Sequence, residues 1–258
     1  MKKLVIANWK MNPQTVPEAR RIFNSIEQRM HNINHTEVVI CAPSIFIAPL
    51  SHSAHRTKLG AQNVSWAPEG PLTGELSVGQ VELFNVRYII LGHSERRINL
   101  GETDEMIKQK IPIILKHKMV PIVCLGGEKG AKKQDMKGII TKQFKTAISS
   151  LDKREIVKCV FVYEPVWAIS TVKNSRPATG QNAQEMILFI QNLLAKKVGK
   201  DHAKHVRILY GGTVNKNNVN QYAKYPEIDG ALVGAASLAP DNFWQVIKEF
   251  DREAVHRA

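Results

Sequence analysis

The chain has 258 residues, 43% hydrophobic and 23% charged, with 16 glycines and 12 prolines, a composition that builds a sizeable core and excludes disordered and collagen-like classes. Lysine and arginine number 36 against 23 aspartates and glutamates, a net charge of +13 that suits either a nucleic-acid binder or an enzyme drawing in anionic substrates. Only four apolar residues follow Met1-Lys2-Lys3, no run approaches the ~18 apolar residues of a membrane span, and Cys41, Cys124 and Cys159 are odd in number and lack ligand spacing, so a cytoplasmic protein with reduced thiols is expected.

Eight short runs rich in Val, Ile and Leu recur along the chain: 4–8, 38–42, 58–63, 87–93, 120–125, 159–164, 206–211 and 229–234. They are almost continuously apolar, as strands covered on both faces are, which favours a parallel sheet. Helical periodicity fills the gaps at 17–30, 102–117, 133–151, 183–198 and 242–250. Eight strand-then-helix units without a linker predict one α/β domain over residues 1–258, a single (β/α)8 barrel. An open doubly wound sheet is the alternative, but Gly126-Gly127-Glu128-Lys129-Gly130-Ala131-Lys132 matches neither the dinucleotide fingerprint nor the Walker loop. The densest basic stretch, Lys129, Lys132, Lys133, Lys137, Lys142 and Lys145, lacks interleaved aromatics and reads as a solvated helix face, so no nucleic-acid partner is expected.

Barrel enzymes carry their chemistry at the C-terminal ends of strands. Here the first run ends in Asn8-Trp9-Lys10, the fourth in His93-Ser94-Glu95-Arg96 and the sixth in Glu164-Pro165. The seventh and eighth end in the small-residue turns Gly211-Gly212-Thr213 and Gly234-Ala235-Ala236-Ser237. A carboxylate, an imidazole and a cation on one rim fit enolisation of a phosphorylated carbonyl compound: a base takes the proton beside the carbonyl while two donors stabilise the oxygen. The turns offer backbone N–H groups to a phosphate. This chemistry needs neither a metal nor a cofactor.

Six segments in order carry a resemblance: Asn8-Trp9-Lys10-Met11-Asn12, Gly60-Ala61-Gln62-Asn63-Val64-Ser65-Trp66, Gly92-His93-Ser94-Glu95-Arg96-Arg97, Tyr163-Glu164-Pro165-Val166-Trp167-Ala168-Ile169, Tyr210-Gly211-Gly212-Thr213-Val214 and Asp229-Gly230-Ala231-Leu232-Val233-Gly234. Through them the chain resembles the triosephosphate isomerase family almost from end to end. The resemblance implies interconversion of dihydroxyacetone phosphate and glyceraldehyde 3-phosphate. Glu164 is then the base, His93 an imidazole kept neutral by a helix N-terminus, as is described for this family, Lys10 the oxyanion partner and Asn8 a substrate contact. It assigns phosphate contacts to Ser170, Thr213, Gly234 and Ala235, and supporting places to Ser94, Glu95 and Cys124. It also implies a homodimer in which the loop after the third strand, with Thr73, reaches into the neighbouring copy.

Departures from the family pattern gather around the phosphate. Ser170-Thr171-Val172-Lys173 stands where the family reads Gly-Thr-Gly-Lys, the segment up to Gln184 is about three residues longer, Ala235 replaces a glycine, and Thr213 replaces a serine. Valine resists positive φ far more than glycine, so a lid on a different backbone path, with Val172 at negative φ and Ser170 N–H as a phosphate donor, is expected. Glu128 falls one residue later than in the family's Cys-x-Gly-Glu and is left without a role. The same proton transfer on a four-carbon sugar phosphate such as erythrulose phosphate is the second reading, and a non-catalytic basic scaffold the third.

Overall fold

Eight parallel strands pair in chain order, and the ring closes where the last meets the first. They are β1 (Lys3–Asn8), β2 (Thr36–Ala42), β3 (Lys58–Ala61), β4 (Val86–Leu91), β5 (Val120–Leu125), β6 (Val160–Tyr163), β7 (Ile208–Tyr210) and β8 (Gly230–Val233). The computed structural model describes residues 1–168 and 177–255. Around the ring run α1 (Val16–Glu27), α2 (Ser44–Ser51), α3 (Val78–Glu82), α4 (Ser94–Leu100), α5 (Asp104–Lys116), α6 (Met136–Ala147), α7 (Lys153–Ile156), α8 (Gly180–Val198), α9 (Lys200–Ala203), α10 (Asn220–Ala223) and α11 (Pro240–Val255). This is the expected single (β/α)8 barrel. No helix among the described residues is long and apolar enough to cross a membrane.

Strand alternation produces two cores. Leu4, Ile6, Val39, Cys41, Ile90, Ile122, Cys124, Val162, Leu209 and Leu232 fill the interior of the ring, while the alternate residues, such as Val5, Ile40, Ile89, Val123 and Phe161, face the helices. Helix α1 shows how the outer layer forms. Thr15 caps it by accepting from Glu18 N–H at 3.3 Å, Pro17 sits in its first turn, and Ala19, Ile22, Phe23 and Ile26 recur at helical spacing on the buried face. Each large apolar side chain buried there stabilises the fold by about 2 kcal/mol.

The two mouths of the barrel differ. At the N-terminal mouth a polar plug fills the lumen: Tyr88 Oη donates to Glu37 at 2.8 Å and accepts from Arg207 Nη2 at 2.9 Å, while Arg207 Nη1 pairs with Glu37 at 2.8 Å. Burial is the main cause that pushes the Tyr88 phenol up to about 12. The opposite mouth carries the C-terminal ends of the strands. There the inward phase of β1, Leu4 and Ile6, continues to Asn8, and that of β6, Val160 and Val162, continues to Glu164. Barrel periodicity therefore carries an amide and a carboxylate onto the C-terminal rim.

Candidate active site

A cavity of about 410 Å³ opens at that rim, lined by Asn8, Lys10, His93, Glu164, Thr213, Gly234 and Ala235 among others. Residues from five strand ends, between Asn8 and Ala235 in the chain, thus converge on one rim. Leu232 forms part of its wall below them.

Glu164 is 1% exposed. Its Oε2 accepts from Ser94 N–H, in the first turn of α4, at 2.9 Å, where the helix end favours negative charge. Its Oε1 lies 3.1 Å from His93 Nε2 but makes no hydrogen bond among the described residues. A buried carboxylate oxygen without a partner costs free energy, and this one borders the cavity.

His93 caps α4, and its Nδ1 accepts from Glu95 N–H at 3.2 Å. An accepting Nδ1 carries no proton, so this geometry selects the neutral tautomer with its hydrogen on Nε2. That hydrogen is the one on the cavity side, beside Glu164. The residue before it, Gly92, has φ 68. Both its polar groups are tied: the N–H donates to Glu102 Oε2 at 3.2 Å and the C=O accepts from Arg97 Nε at 2.7 Å. A Cβ on Gly92 would stand 2.7 Å from both Arg97 Nη2 and Ile107 Cδ1, so the turn that aims the imidazole accepts only glycine.

Glu102 and Arg97 hold this turn, and neither carries a candidate role in the sequence. Glu102 binds the almost fully buried Lys110 ammonium, which also donates to Asn63 Oδ1 at 2.8 Å. Burial pulls the Lys110 ammonium below its ordinary range and Glu102 opposes that pull. Arg97 additionally pairs with Asp104 at 2.6 Å and reaches Cys124 O at 3.4 Å. The available signal was positional: Arg97 and Glu102 follow His93 within nine residues, but the bonds that fix the turn go to the backbone of Gly92, which no side-chain pattern reveals.

Lys10 Nζ pairs with Glu95 Oε1 across the cavity mouth. Cys124 lies wholly inside the barrel, and burial first, then the Glu164 charge, pushes its thiol well above the ordinary range. It is a small protonated side chain beneath the site. Gly234 is held by Ser237, whose N–H and hydroxyl both donate to Gly234 O at 2.8 and 2.7 Å. Glu128 is exposed, whereas Gly127 packs so closely on α4 that a Cβ there would come within 2.7 Å of Ser94 Cα. No glutamate fits at position 127 in this packing, and the carboxylate of Glu128 faces solvent. Thr73 is exposed in the loop between β3 and α3, away from this chain's own cavity. Ser170 and Val172, with the expected lid path, lie outside the described residues.

A family model described as triosephosphate isomerase matches residues 3–250. Proteins named triosephosphate isomerase are similar to the chain over nearly their full lengths. That of Dictyoglomus turgidum is 37% identical over 251 residues, 96% of this chain and 99% of the relative. That of Dictyoglomus thermophilum is 38% identical with the same coverage, and that of Aquifex aeolicus is 38% identical over 97% of this chain and the whole relative.

The imidazole geometry has a direct spectroscopic consequence. In ¹⁵N NMR at neutral pH, His93 should show a protonated Nε2 and an unprotonated, hydrogen-bonded Nδ1. A proton on Nδ1, or on both nitrogens, would contradict the tautomer assigned here.

Proposed function

The chain belongs to the triosephosphate isomerase family, and from that premise we propose that Glu164, His93 and Lys10 interconvert dihydroxyacetone phosphate and glyceraldehyde 3-phosphate by proton transfer through an enediolate. One observation carries the assignment of roles: an enclosed carboxylate whose free oxygen stands 3.1 Å from an imidazole Nε2.

Glu164 Oε1 takes a proton from C1 of the ketose. The C–H electron pair forms the C1–C2 double bond, and the carbonyl pair moves onto the C2 oxygen. His93 Nε2–H donates to that oxygen, and the Lys10 ammonium stabilises its charge. Returning the proton to C2, while the C1 hydroxyl gives up its own, yields the aldose. Every reacting group in this sequence is a side chain of the protein.

Glu95 holds Lys10 at the mouth before substrate arrives, which keeps the ammonium beside the cavity. Ser94 N–H keeps the second carboxylate oxygen occupied, so one oxygen alone is presented to carbon. The phosphate is gripped by backbone N–H groups at Thr213, Gly234 and Ala235, with Ser170 as a further donor. The +13 charge raises the local concentration of the substrate dianion.

The working form is a cytoplasmic homodimer. Supporting this, Met11, Ile45, Leu83 and Leu100 are 85%, 73%, 78% and 66% exposed, large apolar side chains that a monomer leaves in water. The loop 66–75 is closed at its base by Ser65 N–H donating to Leu76 O at 2.8 Å and presents Thr73 outward. All three cysteines are buried and unpaired. Sedimentation should give twice the mass of one chain; a monomer at micromolar concentration would contradict the dimer.

Coupled assays on three- and four-carbon sugar phosphates test the chemistry. Glu164→Ala should remain folded and lose at least about 10³-fold in kcat, and His93→Ala and Lys10→Ala about 10²- to 10³-fold. Near-normal turnover in folded Glu164→Ala would remove it from the base role, and higher kcat/KM on erythrulose phosphate than on the triose would reassign the substrate.

A further inference from the structure

The third strand contributes no reacting group, yet the residue that follows it is bonded to the rim of the first. Gln62 is half-buried and does not line the cavity. Its Nε2 donates to Lys10 O at 2.8 Å and to Cys41 O at 3.0 Å, so both carboxamide hydrogens are used on backbone carbonyls of the neighbouring strand ends.

Lys10 needs such a hold. Its φ is 54, a left-handed conformation that costs a residue with a Cβ roughly 1–2 kcal/mol. Strained backbone of this kind persists only where its surroundings over-determine it. On the N-terminal side, Lys10 N–H donates to Asn8 Oδ1 at 3.0 Å. On the C-terminal side, Gln62 holds the carbonyl. The two peptide units flanking the Lys10 Cα are thus fixed by two side chains, and the direction of the Cα–Cβ bond follows from them. If the residue relaxed to negative φ, its long side chain would leave the rim at another angle and the ammonium would no longer be delivered to the cavity mouth where Glu95 meets it.

We propose that Gln62 is a positioning residue that locks the Lys10 backbone in its left-handed turn and so aims the Lys10 ammonium at the reacting oxygen. This rests on the oxyanion role given to Lys10 above. The alternative is that Gln62 merely ties β1, β2 and β3 together, stabilising the rim without regard to Lys10.

A double-mutant cycle separates the two. Gln62→Met keeps the side chain's length and removes both donors. Placed in the otherwise native protein it should lower kcat/KM for the triose substrate by about 10- to 100-fold, the cost of misplacing a catalytic group by about an ångström. In the Lys10→Ala background the same substitution should cost less than about twofold, because there is no ammonium left to aim. An equal loss in both backgrounds, or no loss in the first, would overturn the proposal. If Gln62→Met does not yield soluble protein, Gln62→Ala, which admits water to the two carbonyls, is read in the same cycle. A crystal structure of the variant reads the proposal independently of catalysis, and so of the role given to Lys10. Lys10 at negative φ with its ammonium withdrawn from Glu95 supports it; Lys10 unchanged near φ 54 overturns it. Failure of the oxyanion role would show itself separately, as full activity in Lys10→Ala alone.

Discussion

A carboxylate enclosed at the mouth of a barrel, with one oxygen satisfied and the other not, is the constraint around which this molecule is arranged. Taking an ionised group out of water costs several kcal/mol unless its surroundings replace the lost hydration. For Glu164 the replacement is partial and one-sided. The Ser94 amide at the start of α4 satisfies Oε2, the imidazole of His93 stands beside Oε1 without bonding it, and the remaining capacity is what the proposed base would use.

The rest of the fold can be understood as what keeps that arrangement from relaxing. The inward phase of β6 delivers Glu164, and the ladder to β5 holds its backbone through Glu164 N–H donating to Leu125 O at 2.8 Å. The inward phase of β4 would end at Gly92, and the positive φ there turns the chain so that His93 caps α4 and faces the same cavity. Behind the turn, Arg97 and Glu102 bond the carbonyl and N–H of Gly92, and Lys110 pairs with Glu102 in turn. Breaking such a buried pair by removing one member typically costs about 3–5 kcal/mol, which makes the turn rigid. Pre-set donors of this kind do not have to reorganise when charge develops on the substrate oxygen.

The strands were legible because a barrel strand, covered on both faces, cannot carry a polar alternation; all eight runs appear, with ends shifted by at most two residues. Their ends overran where the rim stays apolar or small. The run 87–93 extends past β4 because the pairing stops at Gly92, whose φ is invisible in the sequence. Short helices such as α2 were not drawn out, since Ser44–Ser51 is apolar almost all round and contains Pro49, leaving little periodicity to detect. Lys10, His93 and Glu164 were legible as candidates on one rim because each follows a strand. The supports Gln62, Arg97 and Glu102 were not legible as supports, because what they hold is backbone, and a carbonyl or amide has the same composition everywhere in the chain.

In the proposed reaction a single carboxylate on one side of the substrate exchanges one hydrogen with carbon. Incubating dihydroxyacetone phosphate with the protein in D₂O and following the C1 methylene by proton NMR tests this most directly. One of the two C1 hydrogens should be replaced by deuterium, with a single stereochemistry, while the other is retained. Exchange of both C1 hydrogens, or deuterium entering C1 with both stereochemistries, would contradict it.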